Sequence, residues 1–243
     1  MARRAGRHVR SRGDSGVDDF CGFTVSPSLE ALASGHEERY PEGHRLRNSF
    51  LIGRLDGADL LTPDEAAIRT ALDPLESSLP GPFLLMVTLM APHPSFGAED
   101  PWFSLHRPED QPAPLRPGTG KPQFMDELRA RAGLDRLEPA DWALVRATYQ
   151  AMVSRLDDQL GRLLAGLERA GLAERTVTVF HTDHGEYLGD FGLVEKWPSG
   201  LDECLVRNPL IVAGPGIAEG AVCDALVEMV DLPATCVSWL EPR

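Results

Sequence analysis

The chain has 243 residues, of which 42% are hydrophobic and 25% charged, and its formal net charge is −13. This length and apolar content suffice for one large globular domain and exclude a chain that is disordered throughout. The acidic balance argues against a general nucleic-acid-binding protein, whose surface would be basic.

The first residues differ in composition from the rest of the chain. Residues 1–19 are rich in arginine, glycine, serine and aspartate, which predicts a poorly ordered basic lead-in. No apolar segment follows the arginines of residues 1–12, so no signal peptide is visible and a cytoplasmic location is expected. Phe20–Arg54 is predicted to be irregular, and we assign residues 20–243 to the folded domain.

The middle of the chain contains the first regular elements. Thr62-Pro63-Asp64-Glu65 has the pattern of a capping box and predicts the start of a helix. The longest apolar run, Phe83 to Ala91, is far short of the roughly 20 residues of a membrane span. Its first part, 83–90, is typical of a central strand that is covered on both faces. From Phe96 to Gln123 the sequence predicts a long loop.

The second half alternates predicted helices and strands. Apolar residues recur at steps of three or four from Trp142 to Leu167 and predict one long helix. Strands are predicted at Thr176–His181 and Pro209–Ala213, and a last helix begins near Val230. This alternation predicts an α/β fold, a mostly parallel central sheet with helices on both faces.

Polar residues follow two of the predicted strands, where α/β sheets place their ligands. His93 lies between two prolines after the first strand, and Asp183 and His184 follow the second. A carboxylate and an imidazole side by side can bind a metal ion, although each could equally be an ordinary surface or turn residue. Lys196, one of only two lysines, could neutralise an oxyanion such as sulfate or phosphate.

Taken in order, these motifs resemble the sulfatase branch of the alkaline phosphatase superfamily. The resemblance covers most of the chain from about Leu61 and is carried by the motifs around Pro92-His93-Pro94-Ser95-Phe96, Leu156-Asp157, Thr182-Asp183-His184-Gly185-Glu186, Lys196 and Arg207-Asn208-Pro209-Leu210. It implies a partial alkaline-phosphatase-like fold for 20–243. It also implies metal-dependent hydrolysis of a small-molecule sulfate ester in the complete relative.

The resemblance also implies roles for individual residues. Asp183 and His184 would be metal ligands, and His93 and Lys196 would be catalytic residues that contact the sulfate group or the leaving oxygen. The metal would be a divalent cation, Ca²⁺ by family, with Mn²⁺, Mg²⁺ or Zn²⁺ also compatible with a histidine ligand. Departures from the family pattern, such as Phe191 after Gly189-Asp190, leave the substrate open.

No segment matches the family's nucleophile motif, Cys/Ser-x-Pro-x-Arg. The pair Asp18-Asp19 is not preceded by an apolar strand, so we do not expect the basic stretch before it to enter a sheet. We therefore expect an N-terminally truncated catalytic domain, with weak metal affinity and background hydrolysis when alone. The alternatives are a phosphonate or phosphate ester hydrolase of the same superfamily and a non-catalytic remnant.

Overall fold

The computed structural model describes residues 8–12, 39–56, 62–76, 82–118, 120–196 and 200–240. Six strands lie within these ranges: β1 (His8–Arg12), β2 (Leu51–Arg54), β3 (Phe83–Val87), β4 (Phe96–Ala98), β5 (Thr178–His181) and β6 (Leu210–Ala213). The helices are α1 (Pro63–Glu76), α2 (Trp102–Leu105), α3 (Gln123–Ala132), α4 (Pro139–Arg169), α5 (Glu203–Val206) and α6 (Asp231–Leu240). None of the helices in these ranges is both long and apolar enough to cross a membrane.

The strands confirm the predicted α/β fold with parallel pairing. β1 pairs in parallel with β3, and β2 pairs in parallel with β4. β5 and β6 form an antiparallel pair in which His181 lies opposite Leu210. The predicted helices α1, α4 and α6 and the predicted strands β3, β5 and β6 are all present.

Strand β1 corrects one expectation. The basic stretch before Asp18-Asp19 was not expected to enter a sheet, yet residues 8–12 run alongside β3 from Phe83 to Val87. Strand pairing uses backbone hydrogen bonds, so a segment without an apolar pattern can still join a sheet. Asp18, Asp19 and the other residues of the proposed lead-in lie outside the described residues.

The segments predicted to be irregular contain further structure. The predicted loop from Phe96 to Gln123 includes strand β4 and helix α2, and β4 pairs with β2 inside the other irregular region. Strand β3 is also less enclosed than predicted, because Leu84 and Met86 on one face are 36% and 43% exposed. An apolar run predicts a strand but cannot specify what covers each of its faces.

Helix α4 packs against the hydrophobic core on one side and against helix α1 on the other. Its Trp142, Val145 and Met152 pack into a core with β2, β4, α3 and the segment around Leu193. On its other side α4 packs against α1 so closely that a Cβ on Gly166 would lie 2.7 Å from the side chain of Leu72. The rigid α4 therefore connects helix α1 with the segment that carries the candidate site.

A cluster of ion pairs around the buried Glu65 carboxylate connects α1 with α4. The Thr62 hydroxyl accepts a hydrogen bond from the Glu65 backbone N–H at 3.2 Å, as a capping box predicts. The Glu65 carboxylate faces α4 and accepts two bonds from Arg162, at 2.8 and 3.0 Å. Burial of Glu65 opposes ionisation, but bonds from Arg162 and Arg69 outweigh it and lower the pKa of Glu65 to about 2.

Candidate active site

The end of β5 lies beside the start of β6. The antiparallel pairing ends at His181 and Leu210, and Asp183 and Asn208 lie just beyond it. Nδ2 of Asn208 donates a hydrogen bond of 3.0 Å to the main-chain carbonyl of Asp183. Asn208, in the segment that leads into β6, therefore holds the backbone of the Asp183-His184 motif.

Gly185 brings this motif against helix α5. Its N–H donates to the carbonyl of Leu205 at 2.8 Å, and the next N–H, of Glu186, donates to the carbonyl of Cys204 at 3.0 Å. A Cβ on Gly185 would lie 1.9 Å from the Cys204 oxygen. Its φ is not in the left-handed region, so glycine is required here by the close approach of the two backbones.

The buried Glu186 carboxylate organises the following loop. It accepts a hydrogen bond from the backbone N–H of Tyr187 at 3.0 Å. Burial raises the pKa of Glu186 to about 7, against the opposing effect of backbone hydrogen bonds from Leu188, Glu195 and Tyr187. Leu188 and Glu195 lie at opposite ends of this loop. By accepting hydrogen bonds from their backbone N–H groups, the Glu186 carboxylate holds the two ends close together next to Lys196. Our sequence reasoning did not find this role, since only the fold brings these amides to the carboxylate.

The His93 turn is anchored by helix α1. Both oxygens of the buried Asp64 carboxylate accept backbone hydrogen bonds, from Met90 at 2.8 Å and Ala91 at 2.7 Å. The N–H of His93 then donates to the Met90 carbonyl at 2.8 Å. The sequence analysis placed His93 between two prolines, and the structure adds that the Asp64 carboxylate holds the turn that carries it.

His93 and Lys196 contact each other. Nδ1 of His93 lies 2.6 Å from the carbonyl oxygen of Pro94, so this nitrogen carries the proton and donates it. Nε2 is left with a lone pair and accepts a hydrogen bond from the Lys196 ammonium at 3.2 Å. Glu195 also accepts from Lys196, at 2.7 Å. The ammonium is therefore held between a carboxylate and a neutral imidazole.

His184 has the same internal arrangement as His93. Its Nδ1 lies 2.8 Å from the carbonyl of Gly185 and donates to it, which leaves the Nε2 lone pair available. Nε2 lies 3.8 Å from Oδ1 of Asp183. The Asp183 side chain is 86% exposed, so its carboxylate is accessible to an ion or ligand.

Three of the four predicted site residues, Asp183, His184 and Lys196, line one cavity of about 850 Å³, and His93 contacts Lys196 from its side. The structure therefore brings these four residues together, while their chemical roles stay predictions. The rest of the cavity lining includes both polar and apolar side chains. Polar groups come from Glu195, Asn208 and Glu228, and apolar side chains come from Leu205, Val206, Leu210, Val227 and Met229.

Residues 12–242 match the model of the Sulfatase family. The chain belongs to the sulfatase family. The sulfatase of Formosa agariphila is 29% identical over 237 residues, covering 91% of this chain and 45% of that protein. The multifunctional alkaline phosphatase superfamily protein PehA of Trinickia caryophylli is 32% identical over 177 residues, covering 65% of this chain and 34% of the relative. This sulfatase domain thus spans between a third and a half of the length of these relatives.

Solved structures show the same fold. The phosphonate monoester hydrolase of Agrobacterium radiobacter superimposes with a TM-score of 0.60 at 20% identity, covering 86% of this chain and 50% of that one. The corresponding enzyme of Silicibacter pomeroyi gives a TM-score of 0.58 at 22% identity, covering 85% of this chain and 46% of that one. This likeness confirms the alkaline-phosphatase-like fold of the sulfatase domain.

Sulfatases generally use a divalent metal. Within the described ranges, no group of three or more histidine, cysteine, aspartate or glutamate side chains is arranged to hold a metal ion. Asp183 Oδ1 and His184 Nε2 are two suitable donors, and their separation of 3.8 Å fits two ligands of one cation. Ligands at roughly 2.0–2.6 Å from an ion lie about 3–4 Å apart at ordinary coordination angles. Asn208 adds a buried oxygen without a hydrogen-bond partner.

Proposed function

We propose that this domain binds the sulfate group of a small-molecule ester and, together with a nucleophile, hydrolyses the ester at a divalent metal. The observation that carries the proposal is the position of Lys196. Its ammonium lines the cavity that Asp183 and His184 also line, and it lies 3.2 Å from His93 Nε2. Cationic and imidazole groups at one end of a cavity suit a tetrahedral oxyanion.

Each residue has a distinct role in this proposal. Lys196 donates hydrogen bonds to the sulfate oxygens and offsets the charge that grows on them during ester cleavage. His93, whose Nδ1–H is held by the Pro94 carbonyl, orients Lys196 through Nε2. When protonated, the same nitrogen can donate to the leaving ester oxygen.

Asp183 and His184 would hold the metal, whose positive charge withdraws electron density from the bound ester. We propose Ca²⁺, which the family resemblance implies and for which the Asp183 carboxylate is a suitable oxygen donor. The imidazole of His184 also admits Mn²⁺, Mg²⁺ or Zn²⁺. The chain's own contribution is to fix both donors: the Gly185 carbonyl orients His184, and Asn208 holds the backbone of Asp183.

The charge of the cavity favours a sulfate ester over a phosphate monoester. Glu195 and Glu228 line the cavity together with Lys196. A sulfate ester carries one negative charge, whereas a phosphate monoester carries nearly two at neutral pH. Nearby carboxylates disfavour the second charge, so we place sulfuric-ester chemistry before the phosphate monoester alternative; a phosphonate monoester carries one charge, as a sulfate ester does, and is separated by the binding test below.

Hydrolysis needs a nucleophile that we do not assign to the described residues. Cys204 lies near the cavity, but burial raises the pKa of its thiol to about 11, so little thiolate exists at neutral pH. A positioned reacting group contributes up to about 7–11 kcal/mol in favourable cases. Binding is therefore the property of this chain that tests the proposal directly.

The test is sulfate binding measured by calorimetry and by NMR chemical shifts. Lys196→Ala removes a charge-assisted hydrogen bond worth roughly 1.5–3 kcal/mol, so we expect sulfate affinity to fall about 10–100-fold. Lys121→Ala is the matched control because it removes the only other lysine, which pairs with Asp202 and does not line the cavity. Equal losses in the two variants, or no sulfate binding by the wild-type chain, would contradict the proposal. Tighter binding of a phosphonate monoester than of an alkyl sulfate, both of which carry one negative charge, would favour the phosphonate alternative.

A further inference from the structure

The carboxylate of Glu195 lies next to the two groups that are proposed to bind the ester. Its Oε1 accepts a hydrogen bond from the Lys196 ammonium at 2.7 Å and lies 3.9 Å from Nε2 of His93. The side chain is 21% exposed and lines the same cavity as Lys196. Oε1 therefore takes a position on Lys196 that an oxygen of a bound oxyanion would also favour.

The backbone of Glu195 is held in an uncommon conformation beside this contact. Its φ is 66°, in the left-handed region that residues with a Cβ rarely adopt. The Glu195 N–H donates to the buried Glu186 carboxylate, which fixes the chain at this point. Non-glycine residues persist in this region only where surrounding contacts enforce it, and they cluster at functional sites. The fold thus keeps a carboxylate beside Lys196 despite the conformational cost.

This carboxylate changes the charge that a ligand meets. The Lys196 ammonium and the Glu195 carboxylate together carry no net charge, and His93 accepts from Lys196 as a neutral imidazole. A lysine ammonium has three N–H donors, so it can bond to Glu195, to His93 and to one ligand oxygen. Two acceptors of one ammonium lie roughly 4–5 Å apart, and at that distance repulsion between the carboxylate and the ligand grows with the charge of the ligand.

We propose that Glu195 is the residue that makes this site select singly charged esters over doubly charged ones. The inference rests on the proposed oxyanion site and assigns its charge selectivity to one side chain. Lys196 attracts any oxyanion, and Glu195 penalises the second charge of a dianion. The selected class contains sulfate esters and phosphonate monoesters, and the disfavoured class contains phosphate monoester dianions.

The other carboxylates of the cavity are more exposed to water. Glu228 is an exposed residue whose backbone N–H donates to Asp231 at the start of α6, at 3.0 Å. The Asp183 side chain is 86% exposed and is assigned to the proposed metal. Water and salt screen exposed charges. Glu195, which is bonded directly to Lys196, is therefore expected to have the largest effect on a bound anion.

The experiment measures the dissociation constants of sulfate and methyl sulfate with the full chain at neutral pH, by NMR chemical-shift titration. Both ligands are tetrahedral sulfur oxyanions, and they differ by one negative charge. Glu195→Gln keeps the length of the side chain and an oxygen that accepts from Lys196, but removes the charge. It is expected to raise sulfate affinity roughly tenfold more than methyl sulfate affinity. Glu228→Gln removes one charge from the same cavity and should change the ratio of the two affinities by less than about twofold.

The outcomes separate this inference from the proposed site. If Glu195→Gln changes both affinities by the same factor, Glu195 only positions Lys196 and the selectivity assignment is overturned. An equal change of the ratio in Glu228→Gln also overturns it, because the effect then belongs to the cavity as a whole. Glu195→Ala should reproduce the change of ratio seen with Glu195→Gln, and an unchanged ratio in both refutes the role of the carboxylate. If Lys196→Ala weakens the binding of neither anion, the proposed oxyanion site itself fails.

Discussion

The Asp64 carboxylate is the connection between helix α1 and the His93 turn, and its removal gives a quantitative test. Asp64 is 5% exposed and accepts backbone hydrogen bonds from Met90 and Ala91 at 2.8 and 2.7 Å. Asp64→Ala deletes both acceptors and leaves two N–H groups to find water or remain unpaired. It also removes a negative charge from the first turn of α1, where the helix dipole favours it.

The magnitude follows from these contacts. Each buried donor left without a partner costs roughly 1–3 kcal/mol. Met90 is 52% exposed, so water can reach part of this turn and the lower half of the range applies. We therefore expect a loss of about 2–4 kcal/mol in the free energy of unfolding. For a domain of this size that corresponds to a decrease in Tm of roughly 5–15 °C.

The assay compares thermal and urea unfolding of the wild type, Asp64→Ala and Asp157→Ala. Asp157 is exposed on α4, so its replacement should change stability by less than about 0.5 kcal/mol. Nitrogen-15 NMR of His93 supplies a local readout: the wild type should hold the proton on Nδ1, and Asp64→Ala should show a mixture of the two tautomers. A Tm within 1 °C of wild type together with an unchanged His93 spectrum would refute the anchoring role of Asp64.

Two further predictions concern packing and pH. Gly185→Ala should lower Tm markedly, because the added Cβ would lie 1.9 Å from the Cys204 oxygen. Gly161→Ala is the control: its Cβ would have no atom within 4 Å, so the change should raise stability by up to about 1 kcal/mol. Equal melting curves for the two variants would contradict the prediction. Since the pKa of Glu65 falls from 4.5 unfolded to about 2 folded, its stabilisation is complete above pH 4.5 and lost as the pH falls toward 2. The full loss is roughly 3 kcal/mol, of which about 2 kcal/mol is expected between pH 7 and pH 3 by urea unfolding, and Glu65→Gln should show a smaller difference between the two pH values than wild type.

The amino-acid sequence was informative wherever the evidence lay within a short stretch of chain. The long helix α4 and strands β3, β5 and β6 were found because their apolar residues follow the periods of a helix or a strand. Asp183, His184, His93 and Lys196 stood out because their residue types suit metal and oxyanion chemistry and follow predicted strands. In the structure they come together although β3 and β5 belong to different two-stranded sheets and β5 runs antiparallel to β6, so the rule that parallel strand ends share one sheet edge does not account for it.

The tertiary structure decided which partner each polar group meets. Strands β1, β2 and β4 form through backbone pairing with distant segments, so short sequences without a clear pattern did not reveal them. Asp64 became an anchor because two amides of the His93 turn meet its carboxylate, and Asn208 came to hold the Asp183 carbonyl because it directly precedes the segment that pairs with β5. Local sequence specifies periodicity and chemical type, whereas hydrogen-bond partners and burial depend on contacts between residues far apart in the chain.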